Sequence, residues 1–104
     1  MWYAANLLYK GSRNPPGPDA PLWEESIRLV WAASEREAKD KAQRLAQSEQ
    51  ARYRVQDAEV AWTFSCVERV YAIEGDQLTD GTELFSRFLR DSEVTSMLTP
   101  FDDE

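Results

Sequence analysis

Leu22-Trp23-Glu24-Glu25-Ser26-Ile27-Arg28-Leu29-Val30-Trp31-Ala32-Ala33 runs directly into Ser34-Glu35-Arg36-Glu37-Ala38, and the periodicity of the chain changes at Ser34. Ahead of that point Trp23, Glu25, Ile27, Leu29 and Trp31 share one parity while Glu24, Ser26, Arg28 and Val30 share the other. A half-buried strand alternates in this way. Ser34 stands three residues before Glu37, the spacing at which a hydroxyl caps an N3 amide and the carboxylate reaches back. A helix is therefore predicted from Glu35 to about Ala51. Ala38, Ala42, Leu45 and Ala46 form its narrow apolar stripe, and Glu35/Lys39, Glu37/Lys41 and Asp40/Arg44 are i,i+4 ion pairs on the remainder. A helix that meets a sheet through alanines lies close to it, so the large core side chains must come from strands. Trp2, Trp23, Trp31 and Trp62 are accordingly expected in the interior.

Upstream, Trp2-Tyr3-Ala4-Ala5-Asn6-Leu7-Leu8-Tyr9 carries no charge and stops at Lys10-Gly11-Ser12, which reads as a first strand that is apolar on both faces. Asn14-Pro15-Pro16-Gly17-Pro18-Asp19-Ala20-Pro21 lacks backbone donors at its prolines and is an exposed connection. Downstream, Tyr53 to Gln56 is a short third strand, Asp57-Ala58 a turn, and Glu59 to Ile73 a long fourth strand. Its even positions begin Val60, Trp62, Phe64, Cys66, but beyond Cys66 the apolar residues occupy both parities. Either a β-bulge switches faces there or the strand is covered on both sides. Asp80-Gly81-Thr82-Glu83 repeats the capping spacing ahead of Leu84, Phe85, Phe88 and Leu89, and predicts a second, shorter helix starting there. Asp102-Asp103-Glu104 closes an acidic segment, residues 100–104, that is expected to be mobile.

These elements predict a single α+β domain over residues 1–104, with order ββαββα. The expected architecture is a four-stranded antiparallel sheet of order 1-2-4-3, one helix on a face, and a short C-terminal helix. In that order strand 1 is an edge without Lys, Glu or Pro to guard it, and such edges recruit partners. Pairing with the C-terminal segment or with strand 1 of a second subunit is expected, the latter giving a homodimer.

With 104 residues the chain has room for one core, and four Trp, four Tyr and four Phe supply enough apolar surface to fold. Its net charge of −7 includes twelve Asp/Glu against three Lys/Arg over residues 57–104, which argues against nucleic acid as a partner. No apolar run approaches the roughly 20 residues of a membrane span. A single thiol, Cys66, and no basic N-terminal region ahead of an apolar run fit a cytoplasmic protein, with Cys66 expected in the core.

Histidine is absent, which removes imidazole ligands, His-dependent triads and the commonest general base. The four glycines are isolated, so no phosphate loop is present, and no cofactor or metal site is expected. An enzyme is the less favoured reading. The favoured one is a non-enzymatic module that self-associates or binds a protein partner, with Trp2, Tyr3, Leu8, Ser86, Arg87 and Arg90 as the candidate surface. A small-ligand-binding or enzymatic domain using the aromatic surface with Glu25, Glu68, Arg69 and Arg87 is the alternative. An acidic nucleic-acid mimic that inhibits a basic protein is a third reading.

Trp2 to Leu8, Glu25 to Ala32, Glu37-Ala38 through Lys41-Ala42, Val60-Ala61-Trp62-Thr63-Phe64 and Asp80-Gly81-Thr82-Glu83-Leu84-Phe85-Ser86-Arg87 together resemble the bacterial domain of unknown function family 4288. The likeness spans nearly the whole chain. It implies a small stand-alone bacterial cytoplasmic domain and brings no catalytic residues with it. Where that family has Asn and Gly near the turn before the Trp-x-Phe strand, this chain has Gln56-Asp57-Ala58.

Overall fold

The computed structural model describes residues 1–18, 21–75 and 78–99. The elements run β1 (Trp2–Asn14), β2 (Trp23–Trp31), α1 (Glu35–Ser48), β3 (Ala51–Val55), β4 (Ala58–Ala72) and α2 (Asp91–Leu98). The fold is α+β, with one four-stranded antiparallel sheet, as the periodicities indicate. The strand order is β2-β1-β4-β3, which corrects the expected 1-2-4-3. β1, uncharged from Trp2 to Tyr9, lies inside the sheet, paired to β2 on one side over Trp2–Lys10 and to β4 on the other. An apolar strand with no guarding charge satisfies its amides and carbonyls most fully there. Strand 1 thus finds its second partner within the chain, and the expected dimer through its edge is closed off. The edges are β2 and β3, and α1 connects one to the other across the sheet.

Ser34 caps α1 as its spacing predicts: Ser34 Oγ accepts from the Glu37 amide at 3.1 Å, and Glu37 Oε1 accepts from the Ala33 amide at 2.7 Å. Ala38, Ala42 and Ala46 are fully buried and let α1 lie close against the sheet. What they meet is the odd parity of β1, Tyr3, Ala5, Leu7 and Tyr9, with Val30 and Ala32 alongside. The Tyr9 hydroxyl donates to the Ala46 carbonyl at 3.2 Å, and burial raises its phenol pKa above the ordinary value.

β4 resolves its mixed parity with two bulges. Tyr9 pairs with Phe64 but Leu8 with Cys66, and Leu7 pairs with Val67 but Asn6 with Arg69, so Ser65 and Glu68 are the extra residues. Each bulge resets the pleat, which brings Trp62, Phe64, Val67 and Val70 to the α1 side. It also turns Cys66 outward, so the thiol expected in the core is exposed. Gly11 is what allows Trp62 to pack over β1: a Cβ there would meet the indole at 2.9 Å and the Leu22 carbonyl oxygen at 3.1 Å.

The second helix is displaced from its predicted place. Residues 82–90 form no regular element, and α2 begins at Asp91, where the Arg90 amide donates to Glu93 Oε1 at 2.7 Å. The Thr79 amide donates to Thr82 Oγ1 at 2.8 Å in a local turn, and the Glu83 carboxylate of the expected box accepts from the Tyr71 hydroxyl instead. Among the described residues α2 buries no side chain and packs against no other element. The acidic segment 100–104 lies outside the described residues.

Two measurements test this frame. Gln56 opens the two-residue β3–β4 loop at φ 57°, a conformation that costs a residue with a Cβ roughly 1–2 kcal/mol and that glycine takes freely. Gln56→Gly should therefore raise the unfolding free energy by about 1 kcal/mol in urea titration; no change would mean that the turn is not held left-handed. Arg28 of β2 forms a two-bond ion pair with Glu49 at the end of α1, at 2.6 and 3.1 Å, and that guanidinium holds the Glu49 carboxyl below its usual range. The unfolded chain then takes up the proton first as pH falls, so the pair's contribution is present above the ordinary carboxylate range and lost on acidification. Glu49→Gln should lower stability slightly at pH 7 and flatten the acid limb of the melting-temperature profile.

Candidate functional site

The side of the sheet away from α1 is built from the even residues of β1 and the odd residues of β2. Register pairs Trp2 with Trp31, Ala4 with Leu29, Asn6 with Ile27, Leu8 with Glu25 and Lys10 with Trp23. Because the β2 tryptophans are opposite the even residues of β1, they cannot share the core with Tyr3 and Leu7. That corrects the expected interior placement of Trp23 and Trp31, while Trp62 packs against the core. Trp23 is 52% exposed and Trp31 49%, with Ile27 and Leu29 similarly open between them, while Trp2 is half-buried and edge-on to Trp31 at 5.1 Å. Lys10 Nζ lies 5.8 Å from the Trp23 ring.

On this face Ala4 and Asn6 of β1 are buried, and the β4 side is covered. Residues 82–87 cross it as a strap: Phe85 stacks edge-on against Tyr71 at 5.8 Å, the Tyr71 hydroxyl donates to Glu83 Oε1, and Ser86 Oγ donates to the Tyr71 oxygen at 3.5 Å. Arg69 and Arg87 flank the Phe85 ring at 5.6 and 5.7 Å. Glu68 lies 3.7 Å from Arg69 and 3.9 Å from Arg87. The capping motif that suggested a helix at Asp80–Arg87 thus anchors a covering segment instead.

Between the covered and bare halves sits Asn6, which sequence reading passed over. It is 1% exposed, its Nδ2 donates to Glu25 Oε2 at 2.8 Å, and its buried Oδ1 has no partner among the described residues. A lone amide inside an otherwise uncharged strand was the available signal.

The structure brings Glu68, Arg69, Ser86 and Arg87 together, with Glu25 on the far side of Asn6 from Arg69. Trp2 and Leu8 are on the same face, half-buried. Tyr3 is not: it is 6% exposed beneath α1, because its odd number places it on the opposite side of β1 from Trp2. Arg90 is exposed at the start of α2, away from the sheet. Open depressions of about 340 and 300 Å³ lie along residues 86–97, the second lined by Arg69, Ser86, Arg87 and Phe88. Among the described residues no cluster of His, Cys, Asp or Glu is placed to hold a metal, and no helix is long and apolar enough to cross a membrane. Glu59 pairs with Arg52 at 3.1 Å, so part of the acidic second half is held in local ion pairs rather than aligned as a phosphate-like row.

Since the Asn6 amide is only half satisfied, replacing it with an apolar residue of similar size removes a cost along with a bond. Asn6→Leu should shift the unfolding free energy by no more than about 1 kcal/mol, whereas Leu7→Ala, on the buried face of the same strand, should cost about 3 kcal/mol. Equal losses in a denaturant titration would show that both faces of β1 are core.

No curated protein and no solved structure matches the chain. A family does: residues 2–86 match the Domain of unknown function (DUF4288), a span holding the whole sheet, α1 and the strap as far as Ser86, and stopping short of α2. On that match the chain belongs to the DUF4288 family.

Proposed function

We propose that this chain is a non-enzymatic self-associating module whose bare half-face is the contact surface. The observation that carries the reading is the side-chain order on the exposed edge strand: Trp23, Glu25, Ile27, Leu29, Trp31 has an indole at each end and a branched aliphatic at its centre. A two-fold interface presents one patch to itself, and an antiparallel mate of this strand brings the indole at one end against the indole at the other. Contiguous exposed apolar groups on an edge strand also mark an association surface in physical terms. The absence of histidine and the open depressions support a binding role over a catalytic one. An exposed Cys66 suits a reducing compartment such as the cytoplasm, where it stays a thiol.

A small anion held by Arg69 and Arg87 beside Ser86 is the second reading, favoured by the two guanidiniums that flank Phe85. Glu68 already faces both cations, which places it behind self-association.

Size-exclusion chromatography with light scattering tests the first reading. At a salt concentration of about 0.15 M, which screens the charge of −7, the mass should rise with concentration toward twice 12.0 kDa. Trp23→Ser should remain at the single-chain mass with an unchanged circular dichroism spectrum. A wild-type chain that stays at 12.0 kDa up to millimolar concentration would overturn the proposal.

A further inference from the structure

Gly11 N donates to Leu22 O at 2.8 Å, Ala32 N to Met1 O at 3.0 Å, and the Met1 ammonium to Ala32 O at 3.2 Å. In an antiparallel ladder the residues that exchange both bonds alternate, so the even residues of β2 point their amides and carbonyls at β1. The odd residues, Trp23, Glu25, Ile27, Leu29 and Trp31, point theirs away from the sheet. Among the described residues no strand lies on that side, and of these backbone groups only the Trp31 carbonyl has a partner, Lys41 Nζ at 2.6 Å. The edge and the bare indole face therefore belong to the same residues.

Building on the self-association reading, we infer that the occupant of this edge is β2 of a second copy, antiparallel, with the two-fold axis at Ile27. Outward-pointing groups pair only odd with odd. Centring on Ile27 does this over the whole of Trp23–Trp31: Ile27 meets its own mate, Glu25 meets Leu29 of the second copy, and Trp23 meets Trp31 of the second copy. Ser26 meets Arg28 and Glu24 meets Val30, so no like charges are opposed. The competing registers are each poorer. Centring on Glu25 sets two carboxylates against each other, and centring on Arg28 two guanidiniums. Centring on Ser26 opposes Trp31 with Pro21, which has no N–H to donate, and asks Arg28 to leave Glu49 for Glu24. The other edge is a poorer candidate: β3 spans only Ala51–Val55, and antiparallel pairing about Tyr53 would oppose Arg52 with Arg54. At the ends of the β2 pairing, the second copy's Trp23 amide takes the Trp31 carbonyl in place of Lys41. The product is a continuous eight-stranded sheet with the indoles of Trp23 and Trp31 paired across the new seam.

Cysteine cross-linking in a Cys66→Ser background reads the register directly. Only a residue on the two-fold axis meets its own copy, and a hydrogen-bonded pair has Cα atoms about 5.5 Å apart, within disulfide range. Under mild oxidation Ile27→Cys should form a disulfide-linked dimer nearly to completion, while Glu25→Cys, Ser26→Cys and Leu29→Cys should each form at least tenfold less. Ile27→Pro gives a second readout, because it deletes an outward N–H and leaves the β1 ladder intact: it should be monomeric by light scattering with its strand content retained. A dimer that cross-links best through Ser26→Cys, or that persists in Ile27→Pro, overturns this register while leaving self-association standing. A protein that is monomeric throughout and cross-links at no position overturns both.

Discussion

β1 has a strand on each side and occupied side-chain positions on each face, and the rest of the molecule is arranged around that requirement. Its first eight residues, Trp2 to Tyr9, carry no charge and would be hazardous at an edge. Placed between β2 and β4 it is laddered on both sides from Tyr3 to Lys10, and its pleat then divides the protein in two. Odd residues face the alanines of α1 and form the core. Even residues face away, and whatever lies beside them on the neighbouring strands must be covered from elsewhere or remain bare.

The coverage is unequal, and the inequality has a chemical logic. α1 needs close approach, so it brings Ala38, Ala42 and Ala46 while β1 supplies Tyr3, Leu7 and Tyr9 to fill the gap. Among the described residues no second helix lies against the opposite face. Residues 82–87 cover β4 through Phe85 and Arg87, a thin layer against Tyr71 and Arg69. β2 is left with indoles open to solvent and half its backbone groups directed outward. Those are the two properties by which one sheet joins another, and they coincide on one strand.

Much of this was legible before any coordinates. The shift in period at Ser34, its capping partner Glu37 and the alanine stripe located α1 closely, and alternation located β2. Strand order was not legible, because pairing depends on contacts distant in sequence, although the missing charge on strand 1 was the clue that it belongs inside. The indoles were misassigned for a related reason. Alternation shows that Trp23 and Trp31 share a face but not which face α1 covers, and that is decided by their pairing opposite Trp2 and Lys10. Cys66 followed the same course: the mixed parity beyond it pointed to a bulge as one of two readings, but the bulge falls one residue earlier, at Ser65, and turns the thiol outward. The capping motif at Asp80 misled because Glu83 is taken by the Tyr71 hydroxyl of β4, a contact distant in sequence. In the candidate site, Arg69, Ser86 and Arg87 could be named from the sequence, but their gathering around Phe85 could not.

Amide hydrogen exchange by NMR in dilute solution addresses the division most directly, since it reports which strand has a free side. The arrangement described here predicts alternation along β2, with Ser26, Arg28 and Val30 protected and Glu25, Ile27 and Leu29 exchanging at least tenfold faster, against uniform protection from Ala4 to Tyr9 in β1. Uniform protection along β2 in the monomer, or alternation along β1, would contradict it.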